Sequence, residues 1–193
     1  MQKNKFFFFF KIEIASKKLI WSFIGSYRAT KPINGADAQI YGAEIALQRS
    51  LNFIPGKFFK YINVFTNYTY THSSANGIEG RDNGQQLEGT AKHMFNASLA
   101  YDNNKFQIRA SLNYASDYVD EFGKEAFFDR YYDEQLFLDV NLNFLVAKNV
   151  NVFASATNLT NQELRYYQGQ RANTMQMEYY GPRINFGLKW NVF

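Results

Sequence analysis

From Asp37 onward, apolar and polar residues alternate with a period of two, the mark of strands whose faces meet different surroundings. Tyr41, Ala43, Ile45 and Leu47 share one face, with Gly42, Glu44, Ala46 and Gln48 on the other. Ile62, Val64, Thr66, Tyr68 and Tyr70 oppose Asn63, Phe65, Asn67, Thr69 and Thr71. The pattern returns at Phe95–Tyr101, Phe106–Tyr114, Leu136–Phe144 and Ile184–Val192, and more weakly over 151–158. It places Ile108, Leu112, Leu138, Leu142, Phe186 and Leu188 on the apolar face and Arg109, Asp139, Asn141 and Lys189 on the polar one. The chain is therefore expected to be all-β.

The connections carry a second pattern. Asp102-Asn103-Asn104-Lys105 and Ala147-Lys148-Asn149 read as short turns, rich in residues that tolerate positive φ. Ser73–Thr90, Ser116–Glu134 and Leu159–Pro182 are long polar excursions, and long and short links alternate. The link 50–60 is of medium length and falls in a short slot. Strands joined alternately by short turns and long loops are characteristic of transmembrane β-barrels, with the long loops on the outside. Residues 1–30 are less regular and are set apart from 31–193. The run Phe6–Phe10 is too short for the apolar stretch of an export signal. It reads as a strand continuing to Ile14, with a second over Lys18–Arg28, or else as a truncated start.

Composition narrows the class. The 193 residues include 20 Phe, 14 Tyr and 2 Trp, which argues against disorder. No run of about 18 apolar residues exists to span a bilayer as a helix. The absence of cysteine excludes disulfides and thiolate metal sites. The net charge of +4 is scattered, without the basic patch that nucleic acid requires. Two architectures fit, a β-sandwich ligand-binding module and a membrane barrel. A sandwich normally shows Lys and Glu to water, whereas here the polar faces are mostly Asn, Ser, Thr, Gln and Gly, as suits a barrel lumen. Tyr41, Tyr70, Tyr101, Tyr114 and Trp190 lie at or near segment ends, where aromatic girdles sit.

Candidate chemistry is sparse. His72 and His93 lie near strand ends, and Ser73 with Asp82 offers only a remote hydrolase arrangement without a nucleophile turn, so no enzyme is expected. Glu79–Gly84 has oxygen ligands but lacks the acidic spacing of a calcium loop, so neither a metal site nor any cofactor is expected. The sequons at Asn67, Asn96 and Asn158 are expected to fall in strands. Ligand recognition is placed in the long loops, at Arg130, Tyr131, Tyr132, Arg165, Tyr166, Tyr167 and Arg171, whose guanidinium groups suit carboxylates or anionic chelates. The competing reading is that these aromatics pack the loops together. The chain ends in a strand, Arg183 to Phe193, of the kind that barrel-assembly machinery reads, with Trp190 and Phe193 as its signal residues.

Two stretches resemble the C-terminal half of TonB-dependent outer-membrane receptors. Ile33-Asn34-Gly35-Ala36-Asp37-Ala38-Gln39-Ile40-Tyr41-Gly42-Ala43-Glu44, followed by Asn67-Tyr68-Thr69-Tyr70-Thr71-His72-Ser73-Ser74, is similar to one of that family's strand pairs. Phe153-Ala154-Ser155-Ala156-Thr157-Asn158-Leu159-Thr160-Asn161-Gln162, leading to Tyr180-Gly181-Pro182-Arg183, resembles its penultimate and last strands. The resemblance covers residues 30–193. It implies a Gram-negative outer-membrane barrel facing lipid, a small nutrient ligand (iron chelate, cobalamin or oligosaccharide) and energy from the TonB complex. Whole receptors of that family have 22 strands, a plug domain and a TonB box. Eight or nine strands fit here, so the chain is expected to be a C-terminal part lacking the plug, with the TonB complex acting through that missing part.

Overall fold

The computed structural model describes residues 8–24, 27–78 and 80–191, with side chains described from Asp37 onward. Eight strands form one antiparallel sheet in which sequence neighbours pair. They are β1 (Phe8–Ile24), β2 (Tyr27–Ser50), β3 (Ile62–Ala75), β4 (His93–Asp102), β5 (Phe106–Ala115), β8 (Gln135–Ala147), β9 (Val150–Thr157) and β12 (Arg183–Trp190). Four short strands lie within the long connections and form a second sheet, in the order β11 (Thr174–Glu178), β10 (Leu164–Gln168), β7 (Arg130–Tyr132) and β6 (Tyr118–Glu121). Among the described residues β1 and β12 have one neighbour each, so the large sheet is open.

Each expected strand from Gln39 to Trp190 is present. The N-terminal part departs from expectation. β1 runs through Ala15-Ser16-Lys17, which looked like a break, and absorbs it as a register shift between Ala15 and Lys17. An extra residue in one strand can be taken up as a bulge without ending the pairing. The partner β2 begins at Tyr27, ahead of the family-like stretch, and carries it as one strand of 24 residues. Residues 1–7 and Phe193 lie outside the described residues, as does Glu79.

Register turns the period-two pattern into two continuous surfaces, because directly paired residues point to the same side. On one side, Leu47 pairs with Thr66, Thr66 with Ala97, Ala97 with Leu112 and Leu112 with Leu138. The next row joins Leu99, Ala110, Val140, Ala156 and Ile184. On the other side, Asn67, Asn96 and Asn113 align, as do Ala100, Arg109, Asn141, Ser155 and Asn185. Phe153 is an aromatic exception there. A Cβ on its pair partner Gly187 would lie 2.5 Å from the Phe153 ring, so glycine is what lets the ring fold flat across β12.

The apolar side has no second layer over it among the described residues. Phe186 is 84% exposed and Ile184 73%, and the buried apolar residues are few and mostly small. A sandwich would bury this side against a facing sheet about 10 Å away. Exposed apolar surface on this scale requires a nonaqueous partner.

The edges of the apolar band are aromatic. At the short-turn end, Tyr101 stacks on Phe58 (ring centroids 5.2 Å apart) and meets Tyr61 and Phe106, which in turn meets Phe144. At the long-loop end, Tyr41 lies against His72, and Tyr68 and Tyr70 against His93, with the Tyr68 hydroxyl 2.8 Å from His93 Nδ1. Both histidines are thus parts of the rim. Phe106 and Tyr114 bracket the band on β5. Eight residue steps at ~3.4 Å give about 27 Å along the strand, or about 20 Å across a membrane at barrel tilt. That is close to the height of an outer-membrane apolar belt.

Candidate functional site

The long connections gather at one end of the sheet. The first spans 76–92, the second 116–134 with β6 and β7, and the third 158–182 with β10 and β11. β7 and β10 pair across the second and third loops, with Tyr166 opposite Tyr132, Tyr167 opposite Tyr131 and Gln168 opposite Arg130. The rings follow this register. Tyr131 and Tyr167 stack at 5.0 Å with an interplanar angle of 3°, and Tyr132 and Tyr166 lie 4.7 Å apart. Tyrosine, a strong β-former, supplies two residues to each of these strands, and Gly169 ends β10 at φ +62°. A Cβ on Gly169 would lie 2.7 Å from the Phe127 carbonyl oxygen, so the two loops can approach only with glycine here.

The structure therefore brings together the seven loop residues expected to contact ligand. It also commits their charges. Arg130 donates to Asp120 at 2.6 Å and reaches Glu121 at 3.0 Å. Arg165 Nε donates to Asp133 at 2.6 Å, while its Nη1 donates to the Arg171 carbonyl at 3.0 Å and the Thr174 hydroxyl at 3.2 Å. Arg171 is 52% exposed and pairs with Asp133 at 2.9 Å and with Glu134. The three long connections hold twelve acidic residues against six basic ones, so the ion pairs leave an excess of negative charge at this end. Of the seven residues, Arg171 reaches furthest into solvent and Tyr167 is buried.

Tyr167 donates its hydroxyl to Asp117 at 2.6 Å. Burial first, and then the bond to this carboxylate, push its phenol well above the ordinary value. Burial likewise raises Tyr118, Tyr131 and Tyr132. A phenol whose pKa is raised by folding adds stability that is complete below its unfolded value of about 10 and fades as pH climbs beyond it. In an alkaline absorbance titration, Tyr167→Phe is expected to leave the step near pH ~10 unchanged and to remove signal only at the alkaline end. A smaller step near pH ~10 in the variant contradicts this placement.

Residues of greater structural weight than these seven do not stand out in the sequence. Arg81 and Asp129 form a salt bridge with side chains 4% and 5% exposed. Arg81 Nη2 also donates to the Gly123 carbonyl at 3.1 Å, and Nη1 to the Gly80 carbonyl at 3.0 Å. A cleft of about 460 Å³ beside them is lined by Asp82, Gln85, Ala126 and Tyr131, among others. Arg81 falls in the stretch considered for calcium, where it places a cation. A second cleft of about 450 Å³ on the polar side involves Phe137, Asp139, Asn158, Tyr180 and Arg183. There Asp139 accepts the Asn158 amide at 2.9 Å, fixing the turn at the top of β9.

A lipid-width apolar band, aromatic rims, a hydrophilic opposite face and loops massed at one end define the wall of an outer-membrane β-barrel. Comparison with known proteins agrees. A family model described as TonB dependent receptor-like, beta-barrel, matches residues 17–159, and the chain belongs to that family. The iron-regulated outer membrane virulence protein of Vibrio cholerae serotype O1 is 26% identical over 147 residues, 76% of this chain. Among solved structures, the siderophore receptor PiuA of Acinetobacter baumannii matches 94% of the chain with a TM-score of 0.63 and 18% identity. The copper transporter OprC matches 90% with a TM-score of 0.59 and 15% identity. The chain spans 21% of the length of the Vibrio protein, and about a quarter of each solved chain.

Proposed function

We propose that this chain forms part of the wall and of the external recognition surface of a receptor that takes up a small nutrient through the outer membrane, most simply an iron chelate. The observation that carries this reading is the segregation of surfaces. One side of the sheet is apolar over a membrane's width, the other is lined by Asn, Ser and Gln, and three loops meet at one end. The iron-regulated name of the Vibrio relative supports iron over cobalamin or oligosaccharide. Energy would come from the TonB complex acting on a plug outside these residues. The terminal strand with Trp190 and Phe193 would serve barrel assembly; Trp190 ends β12 on the apolar side opposite Val150.

Within the loops, Tyr131, Tyr132, Tyr166 and Tyr167 provide the framework, and Arg171 the outermost charge. Arg130 and Arg165 act by holding Asp120 and Asp133. Because the loop end is negative, it favours a chelate that is uncharged or cationic overall. The test is binding of radioactive iron, as a ferric hydroxamate and as a strongly anionic ferric catecholate, to the intact protein purified from outer membranes. Preferential binding of the hydroxamate is expected. Preference for the catecholate overturns the charge argument, and recovery of the intact protein in the soluble fraction overturns the receptor reading.

A further inference from the structure

We infer that the three long loops form one mechanical unit keyed at Asp129, so that Arg81 in the first loop positions the tyrosine surface of the third without touching it. Asp129 is the point where all three loops meet. Its carboxylate takes the Arg81 guanidinium through two nitrogens, Nε at 3.3 Å and Nη2. The same carboxylate accepts the Gly123 amide at 2.9 Å within its own loop. Its backbone carbonyl accepts the Gly169 amide at 2.8 Å, directly after β10 in the third loop. One buried residue thus joins 76–92, 116–134 and 158–182.

The joint is built so that its parts cannot be exchanged singly. The donors of Arg81 are spent on Asp129 and on the carbonyls of Gly80, Gly123 and Lys124, the last at 3.5 Å, which leaves none for a ligand anion. Removing either partner strands a charge out of water, which costs far more than an exposed pair is worth. Side contacts reinforce the joint. The Gly89 amide donates to the Val119 carbonyl at 2.8 Å, the Phe122 amide to Glu88 at 2.8 Å, and the Asp133 amide to the Arg165 carbonyl at 2.9 Å. β7 follows Asp129 immediately, so the position of Asp129 sets Arg130–Tyr132 and, through their pairing, β10.

The mechanical coupling is independent of what the loops bind; its relevance to uptake rests on the recognition reading above, and the experiment needs no ligand. Amide hydrogen exchange is measured on the intact protein in detergent, as wild type, Arg81→Ala, Asp129→Asn and the swap Arg81→Asp with Asp129→Arg. Arg81→Ala is expected to speed exchange at Tyr166, Tyr167 and Gln168 by about tenfold or more, with β3, β4 and β5 unchanged. Asp129→Asn, which keeps the shape and loses the charge, is expected to act in the same direction, and the swap to recover part of the protection. Faster exchange confined to the first two loops means that the coupling stops short of β10 and overturns the inference. Loss of protection in β3–β5 as well in both single variants means that Arg81 supports the whole fold, which also overturns it.

Discussion

Arginine at Val140 or Leu138 is expected to destabilise the protein by about 2–4 kcal/mol, and arginine at the neighbouring Asn141 by much less. The three residues lie within four positions of β8, and only the face differs. Val140 pairs with Ala110 and Ala156 in the middle of the apolar band, between the rows of Phe106 and Tyr114. Leu138 pairs with Leu112 one row nearer the loops. A guanidinium in either place must enter hydrocarbon or drag water with it, and the penalty falls off only toward the interfaces. Asn141 lies between Arg109 and Ser155 on the polar side, where added charge remains hydrated apart from mild repulsion by Arg109. Reversible denaturant titrations of the intact protein in lipid vesicles measure the difference. Equal penalties at positions 140 and 141 would mean that the two faces do not see different solvents.

From Gln39 onward, period two sufficed for the wall because the two surfaces run along each strand, so the alternation repeats one message from strand to strand. The rim tyrosines were legible for the same reason, as was the alternation of short turns and long loops. β6, β7, β10 and β11 were not. They hold three to five residues each, too few to show a period, and segments such as Arg130-Tyr131-Tyr132 have no alternation. They exist as strands because loops anchored on adjacent parts of one sheet are held close enough to pair. The aromatic and arginine content of the loops pointed to seven residues that the fold brings together, but not to how their charges are used. Asp120, Asp133 and Glu134 neutralise the arginines through pairings that only the registers of β6 on β7 and of β7 on β10 reveal. Arg81 and Asp129, 48 positions apart, are ordinary polar loop residues until the fold buries them together.

The same geometry makes the 193 residues, expressed by themselves, a poor membrane protein. β12 pairs with β9 along one edge, and β1 with β2, leaving the other edge of each strand open among the described residues. On such an edge about half of the backbone N–H and C=O groups point away from the neighbouring strand. In hydrocarbon each unmet group costs several kcal/mol, so the eight residues of β12 alone face a penalty larger than the whole stability of a typical domain, about 5–15 kcal/mol. Phe186 and Leu188, exposed on the apolar side of the same strand, need lipid at the place where the backbone cannot tolerate it. Something must pair with β12. Joining it to β1 would curl eight strands into a barrel whose interior side chains alone would fill, and the polar face here carries Phe65, Phe137, Phe153 and Arg109. Edge pairing between copies needs no such bending. We therefore expect the isolated residues, refolded in detergent, to give multi-copy or aggregated species in sedimentation velocity, without heat-modifiable migration and without energy-coupled uptake in cells. On the proposed reading of the chain as part of a larger barrel, that larger protein should give a single heat-modifiable species. A monodisperse, heat-modifiable single copy of the 193 residues would show that β1 and β12 can close on each other, and would overturn the view of this sheet as a wall that needs neighbours.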